Sequence, residues 1–334
     1  MSFAAVQRPV RRELEQVQGL LRDAFRTSIP ILNQVGGHVL ATRGKKIRPT
    51  LLLLTARLRG PVGEEAVLSA AVVEMLHAAA LIHDDAVDSS VLRRGLPTVN
   101  GLWTDEMAII MGDYLFGHAL NVMVRHRLEL GLEVLTGVVG EMTGGEALEF
   151  QYAYDLAVTE VQYEELIRAK TGSLMGAATE IGAGLGGGPG VRSARSTFRE
   201  FGERLGTAFQ IVDDLLDYLG DPEVTGKPVG GDLAEGKVTL PLIAALREAG
   251  EVDGRRLKRL ALRKRWTAGQ WSQLRALIEK CGGFAYARDR AVALAADSHR
   301  LLAVAAGKPR RDPGAVAARR ALERSVDHAV HRDR

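Results

Sequence analysis

From Glu64 to Asp88 the chain reads EEAVLSAAVVEMLHAAALIHDDAVD, a stretch without glycine or proline. Apolar side chains fill almost every turn, and Ala, Leu, Met and Glu favour the helix, so one long helix is predicted here. TEVQYEELIRAKTGSLMGAATEIG, from Thr159 to Gly182, has the same character. RSTFREFGERLGTAFQIVDDLLDYLG, from Arg195 to Gly220, repeats apolar residues at three- and four-residue steps despite two internal glycines. VTLPLIAALREAG begins another helix at Val238, with Pro241 in the first turn, where it is tolerated. Glycine and proline mark RRGLPTVNGL, GAGLGGGPG and LGDPEVTGKPVGGDLAEGK as loops. No long alternation of β-branched residues appears. The pattern predicts an all-α fold of many helices, with no composition shift to divide residues 1–334 into more than one domain.

Composition narrows the class. The 334 residues are 46% hydrophobic and 25% charged, as in a soluble globular protein. Lys and Arg number 44 against 41 Asp and Glu, and a net charge of +3 gives a nucleic-acid binder little support. The basic run GRRLKRLALRKRW, Gly254 to Trp266, reads as a solvated helix face. A single cysteine, Cys281, excludes an intrachain disulfide and a cysteine-rich zinc site. The N-terminus lacks a signal pattern and no uninterrupted apolar run reaches about 18 residues, so no membrane span is predicted. These features fit a cytoplasmic protein, with peripheral membrane contact left open.

The chemistry is concentrated in two acidic clusters. LIHDDAVDSSVLRRG carries Asp84, Asp85 and Asp88, and FQIVDDLLD carries Asp213, Asp214 and Asp217. Residues four apart share a helix face, which aligns Asp84 with Asp88 and Asp213 with Asp217. Like charges so placed cost about 0.2–0.5 kcal/mol per pair, and no Lys or Arg stands four residues away to relieve them. The apolar flanks AALIH and FQIV suit a cleft wall better than a solvated face. A divalent cation would relieve both clusters. Mg²⁺ takes oxygen ligands and combines one or two carboxylates with water and substrate phosphates, and two such facing helices would hold a diphosphate through several ions.

A diphosphate also needs cationic side chains. RGKKIRPT supplies Lys45, Lys46 and Arg48; Arg93 and Arg94 follow the first acidic cluster; Lys170, Lys227 and Lys237 stand beside glycines near the second. His77 lies two turns before Asp84 on roughly the same face.

GKKIRP, LIHDDAVDSSVLRRG, AKTGSL, FQIVDDLLD and GKPVGGDLAEGKVTLP occur in the order seen in the trans-isoprenyl diphosphate synthases, and the chain resembles that polyprenyl synthetase family, above all its medium- and long-chain bacterial members. The resemblance implies a helical bundle around a central cavity, a homodimer, and Mg²⁺-dependent head-to-tail condensation of an allylic diphosphate with isopentenyl diphosphate. It implies that Asp84, Asp88 and Asp213 are the main ligands of three Mg²⁺ ions, with Asp85, Asp214 and Asp217 completing the motifs. Arg93, Lys170, Lys227 and Lys237 would hold the allylic diphosphate. Lys45, Arg48, His77 and Arg94 would hold isopentenyl diphosphate. Thr171 and Gln210, with Lys170, would lie beside the reacting carbons. Lys46 stands where the family commonly has arginine, which keeps the charge and loses the bidentate geometry.

Product length follows from the residues one turn before Asp84, which face the growing chain in the family. Here they are Ala79 and Ala80, too small to block a tunnel, with Phe116, Leu120 or Met123 as its floor. This favours a product of C30 to C50 for quinone side chains, with geranylgeranyl diphosphate (C20) as the alternative. A terpene cyclase would not need GKKIRP, a non-catalytic subunit would be expected to lose one acidic motif, and a nucleic-acid binder would leave both motifs unexplained. A catalytic subunit that needs a partner stays compatible with the sequence.

Overall fold

The computed structural model describes residues 3–41, 44–93, 95–187, 190–220, 230–307 and 312–331. The all-α expectation holds. Helices α1 (Ala4–Gln7), α2 (Arg11–Ala24), α3 (Pro30–Ala41), α4 (Ile47–Arg59) and α5 (Glu64–Val87) lead to a two-stranded antiparallel ribbon, β1 (Leu92–Arg93) with β2 (Leu96–Pro97). Then come α6 (Val99–Leu102), α7 (Asp105–Arg125), α8 (Glu129–Tyr152), α9 (Glu160–Ile167), a π-helical turn (Arg168–Gly172), α10 (Ser173–Leu185) and α11 (Val191–Leu219). Further helices cover Gly231–Ala234, Leu240–Glu248, Glu251–Ala261, Ala268–Lys280, Gly283–Ala306 and Pro313–Val330. The described residues of RRGLPTVNGL thus form strand and helix where a loop is predicted, and Thr98 caps α6 by accepting from the Gly101 N–H and donates to the Ser90 carbonyl.

Two compact units emerge. One contains Met1–Val139, Leu174–Gly202 and His299–Ser325; the other contains Gly140–Ser173, Glu203–Ser298 and Val326–Arg334. Their boundaries fall within helices, where the sequence shows no change of composition.

In the first unit α5 is the central element, packed against α2, α4 and α7. It buries residues around its whole circumference, from Ala66 to Val73 without interruption, as an all-round apolar helix must. Glu64 and Glu65 sit in its first turn, where negative charge suits the helix dipole. Both α5 and α7 are long and apolar enough to cross a membrane by length and composition alone. For α5, 67% of that stretch is buried within the protein, as expected of a core helix. Close crossing of α10 and α11 requires Gly202, since a Cβ there would stand 2.5 Å from the Met175 carbonyl oxygen.

In the second unit a core of Ile211, Leu215, Tyr218, Leu242, Leu257, Leu274, Ile278 and Phe284 joins the end of α11 to the later helices. Tyr218 stacks on Trp271 at 5.7 Å, with the planes 11° apart. This packing fixes the end of α11 that carries Asp213, Asp214 and Asp217.

Candidate active site

The first acidic motif occupies the last turn of α5. Asp85 is buried, whereas Asp84 and Asp88 are half-buried. The helix itself offers Asp85 no cation, but the ribbon does: Arg93 Nε donates to Asp85 Oδ1 at 2.8 Å. The partner comes from eight residues on, because a turn of chain brings Arg93 back over the helix end. Asn100 fixes the same place by donating to the Asp85 carbonyl at 3.0 Å.

Two turns earlier on α5, His77 meets Arg48 of α4. Arg48 has only donors, so His77 Nε2 accepts at 3.0 Å and the ring proton resides on Nδ1. Lys46, in a left-handed conformation before α4, lies 3.9 Å from Glu74. Lys45 is exposed, and its carbonyl accepts from Gln7 at 2.8 Å. These residues form one neighbourhood, while Arg94 lies outside the described residues. Ala79 is buried with Ala108, Met111 and Leu115, and Phe116 packs against that cluster. Ala80 is half-buried and Met123 buried.

The second motif, on α11, repeats the division of exposure. Asp214 is buried and Asp213 exposed. Asp214 Oδ2 accepts from the Tyr163 hydroxyl at 2.6 Å, and its Oδ1 accepts from Gln210 Nε2 at 2.9 Å. The Gln210 carbonyl oxygen accepts in turn from the Thr171 hydroxyl at 2.9 Å. Thr171 thereby connects through Gln210 and Asp214 to Tyr163, every amide and hydroxyl having a defined role. Burial, then the neighbouring Asp232 charge, pushes the Asp214 carboxyl up to about 8. Asp217 is likewise pushed up to about 8 by burial and Asp232, although it accepts from the backbone N–H groups of Gly231 and Asp232 at 3.1 and 3.3 Å. Carboxylates crowded in this way call for positive charge.

Lys170 lies in the π-helical turn, an insertion that frequently marks functional sites. Its ammonium donates to Glu146 and Glu149, each at 2.9 Å. Lys237 lies 3.1 Å from Glu149 and 2.8 Å from Glu235. One carboxylate therefore serves lysines from two segments. Burial raises Glu149, but Lys170 and Lys237 outweigh it and hold the carboxyl below the ordinary range. Gly145 permits this arrangement, since a Cβ there would stand 2.9 Å from the Lys170 backbone nitrogen. Lys227 lies outside the described residues.

Tyr163, Asp232, Glu146 and Glu149 were not singled out from the sequence. Asp232 stands within GKPVGGDLAEGKVTLP, and Tyr163 stands 51 residues before Asp214 on a different helix; neither carries a local spacing signal. Glu146 and Glu149, three apart on α8, look like a solvated pair until Lys170 and Lys237 are placed.

The donor set suits a hard cation: exposed or half-buried carboxylate oxygens, with no thiolate or imidazole required. Among the described residues no group of three His, Cys, Asp or Glu side chains is gathered to hold an ion alone.

Residues 29–278 match the family model described as polyprenyl synthetase, and the chain belongs to that family. It is a prenyltransferase. It is 36% identical over 284 residues to the all-trans-nonaprenyl-diphosphate synthase (geranyl-diphosphate specific) of Rhodobacter capsulatus, covering 85% of this chain and 86% of the relative. It is 40% identical over 253 residues to a short chain isoprenyl diphosphate synthase of Methanothermobacter thermautotrophicus, covering 74% of this chain and 77% of the relative. Among solved structures, a polyprenyl synthase from Caulobacter crescentus CB15, complexed with calcium and isoprenyl diphosphate, aligns with a TM-score of 0.90 and 33% identity over 100% of this chain and 98% of that one.

Proposed function

We propose that the protein is a cytoplasmic, homodimeric synthase that condenses isopentenyl diphosphate head-to-tail with an allylic diphosphate, making an all-trans product of C30 to C50. The observation that carries this reading is the shared division of the two acidic motifs. In each, the middle aspartate is buried and held by its own side-chain partners, Arg93 for Asp85 and Tyr163 with Gln210 for Asp214. The first aspartate of each motif is left more open, Asp84 half-buried and Asp213 exposed.

Asp84, Asp88 and Asp213 would hold Mg²⁺, three ions per site with substrate bound, while Asp85, Asp214 and Asp217 fix the motifs from behind. Bound Mg²⁺ supplies positive charge that stabilises the departing diphosphate. Lys170, Lys237, Lys227 and Arg93 bind the allylic diphosphate and orient it for cleavage of its C–O bond. Lys45, Arg48, His77 and Arg94 bind isopentenyl diphosphate. The Thr171 hydroxyl, turned by its bond to Gln210, presents its oxygen lone pairs to the allylic cation. The double bond of isopentenyl diphosphate attacks that cation, and a proton leaves to the released diphosphate. Small side chains at Ala79 and Ala80 leave room for chain growth. The likeness to a short-chain relative favours C20 as the second reading.

A product assay tests this. Purified protein, Mg²⁺ and isopentenyl diphosphate are incubated with C5, C10, C15 or C20 allylic diphosphates, and the products are read by mass spectrometry. A ladder ending between C30 and C50 is expected. Termination at C20 selects the second reading, and absence of product from every primer overturns both for the isolated chain.

A further inference from the structure

Between Glu251 and Thr267 the chain carries seven basic residues and two acidic ones, against a net charge of only +3 for the whole protein. The helix Glu251–Ala261 buries Leu257, Leu260 and Ala261. Its Arg255, Arg256, Lys258 and Arg259 are all exposed, as are Arg263, Lys264 and Arg265 just beyond it. Both acids are already engaged, Glu251 with Arg255 and Asp253 with Lys280. Among the described residues, Arg256, Lys258, Arg259, Arg263 and Arg265 have no ion pair. The helix dipole accounts for basic residues in the last turn, but not for Arg255 and Arg256, nor for the three beyond the helix end. Arg255 and Arg259 stand four apart and repel.

Apolar and aromatic groups stand within this charge. Leu262, 53% exposed, separates the helix from Arg263, Lys264 and Arg265. Next to it, Trp266, Trp271, Ser272 and Arg275 line a hollow of about 360 Å³. Trp266 is anchored there by its indole N–H, which donates to the Leu260 carbonyl at 2.8 Å.

We propose that this face docks on an anionic lipid membrane. Clustered Lys and Arg on an amphipathic helix are attracted to anionic headgroups, and an exposed leucine among them can enter the acyl boundary. Single-stranded nucleic acid would need aromatic rings standing out for stacking, whereas here Trp271 is 9% exposed and the rings line a hollow. The purpose of docking rests on the proposed activity, whose product carries a long apolar chain that water disfavours. The docking face also reaches the candidate site. Lys264 lies 5.6 Å from the centre of the Tyr154 ring, and Tyr154 donates from its N–H to the Gly236 carbonyl at 2.8 Å and from its hydroxyl to the Ala234 carbonyl at 3.2 Å. Asp232 and Lys237 flank that segment.

The test is sedimentation of the full chain with vesicles of phosphatidylcholine alone or mixed with phosphatidylglycerol. Binding to the mixed vesicles at least tenfold stronger than to phosphatidylcholine, and weakening with salt, is expected. The variant R259Q/R263Q/R265Q should lose at least tenfold in that binding, since each basic residue near the surface contributes roughly fivefold. L262S should weaken binding while keeping its salt dependence. Both variants should keep the wild-type melting temperature and rate of condensation with short primers in detergent. Equal binding to both vesicle types, or unchanged binding by the folded triple variant, overturns the proposal. So does a triple variant that loses single-stranded RNA binding but not vesicle binding. Failure of the proposed activity would show separately, as absence of prenyl product, whatever the vesicles report.

Discussion

Glu149 accepts from Lys170 at 2.9 Å and also lies 3.1 Å from Lys237, so one carboxylate on α8 sets the position of two lysines assigned to the allylic diphosphate. Glu149→Gln keeps the shape and removes the charge that fixes both. The expected result is a rise of about tenfold in KM for the allylic diphosphate, about one hydrogen bond to a charged group, with KM for isopentenyl diphosphate unchanged. Steady-state kinetics with each substrate varied in turn decide it, and equal changes in both constants would refute the assignment.

The same carboxylate gives a pH prediction. Its folded pKa lies below the ordinary value, so its contribution to stability is present above the unfolded pKa and is lost as the pH falls through the folded one. Urea denaturation of wild type and Glu149→Gln should therefore differ at pH 7, by about 2 kcal/mol, and converge as the pH falls through the lowered folded pKa. A gap that widens toward acid would contradict the direction.

Tyr163 supplies a buried hydrogen bond to Asp214 at 2.6 Å. Tyr163→Phe leaves that carboxyl short of a donor and should cost about 1–3 kcal/mol by chemical denaturation. Because Asp214 also holds Gln210, and Gln210 holds Thr171, turnover should fall as well, by about tenfold for a displacement of the reacting groups. Unchanged kcat in the folded variant would confine Tyr163 to stability.

Asp213 is exposed and makes no contribution to the buried core. Asp213→Ala should lower turnover by at least about 10²–10³ without lowering the melting temperature. Chelation by EDTA should stop wild-type turnover and excess Mg²⁺ restore it. Activity that survives both the variant and chelation would overturn the metal assignment.

Ala79 is 4% exposed among Ala108, Met111 and Leu115, whereas Ala80 is half-buried. Phenylalanine at either position should shorten the product, read by mass spectrometry. At Ala79 it must also displace packed neighbours, at a cost of about 1–3 kcal/mol, which Ala80→Phe largely avoids. An unchanged product from both variants would refute the open-tunnel argument.

The helices and the acidic motifs are determined by the sequence itself. Residue composition and three- and four-residue periodicity are local properties, and they located α5 within one residue at its end and α11 within a few. The spacing D-D-x-x-D likewise placed Asp84 with Asp88 and Asp213 with Asp217. The break of the Thr159–Gly182 stretch into α9, the π-helical turn and α10 was not legible, because residues 171–183 are buried on every side and no single apolar face marks the extra residue.

What only the tertiary structure decided is which groups become partners. Arg93 reaches Asp85 because a ribbon folds back, Glu149 collects lysines from 21 and 88 residues further along the chain, and Tyr163 meets Asp214 across 51 residues of sequence. None of these pairs repeats at a helical period. Each forms because burying apolar faces brings distant segments together, and the buried polar groups then take the partners that packing leaves within reach.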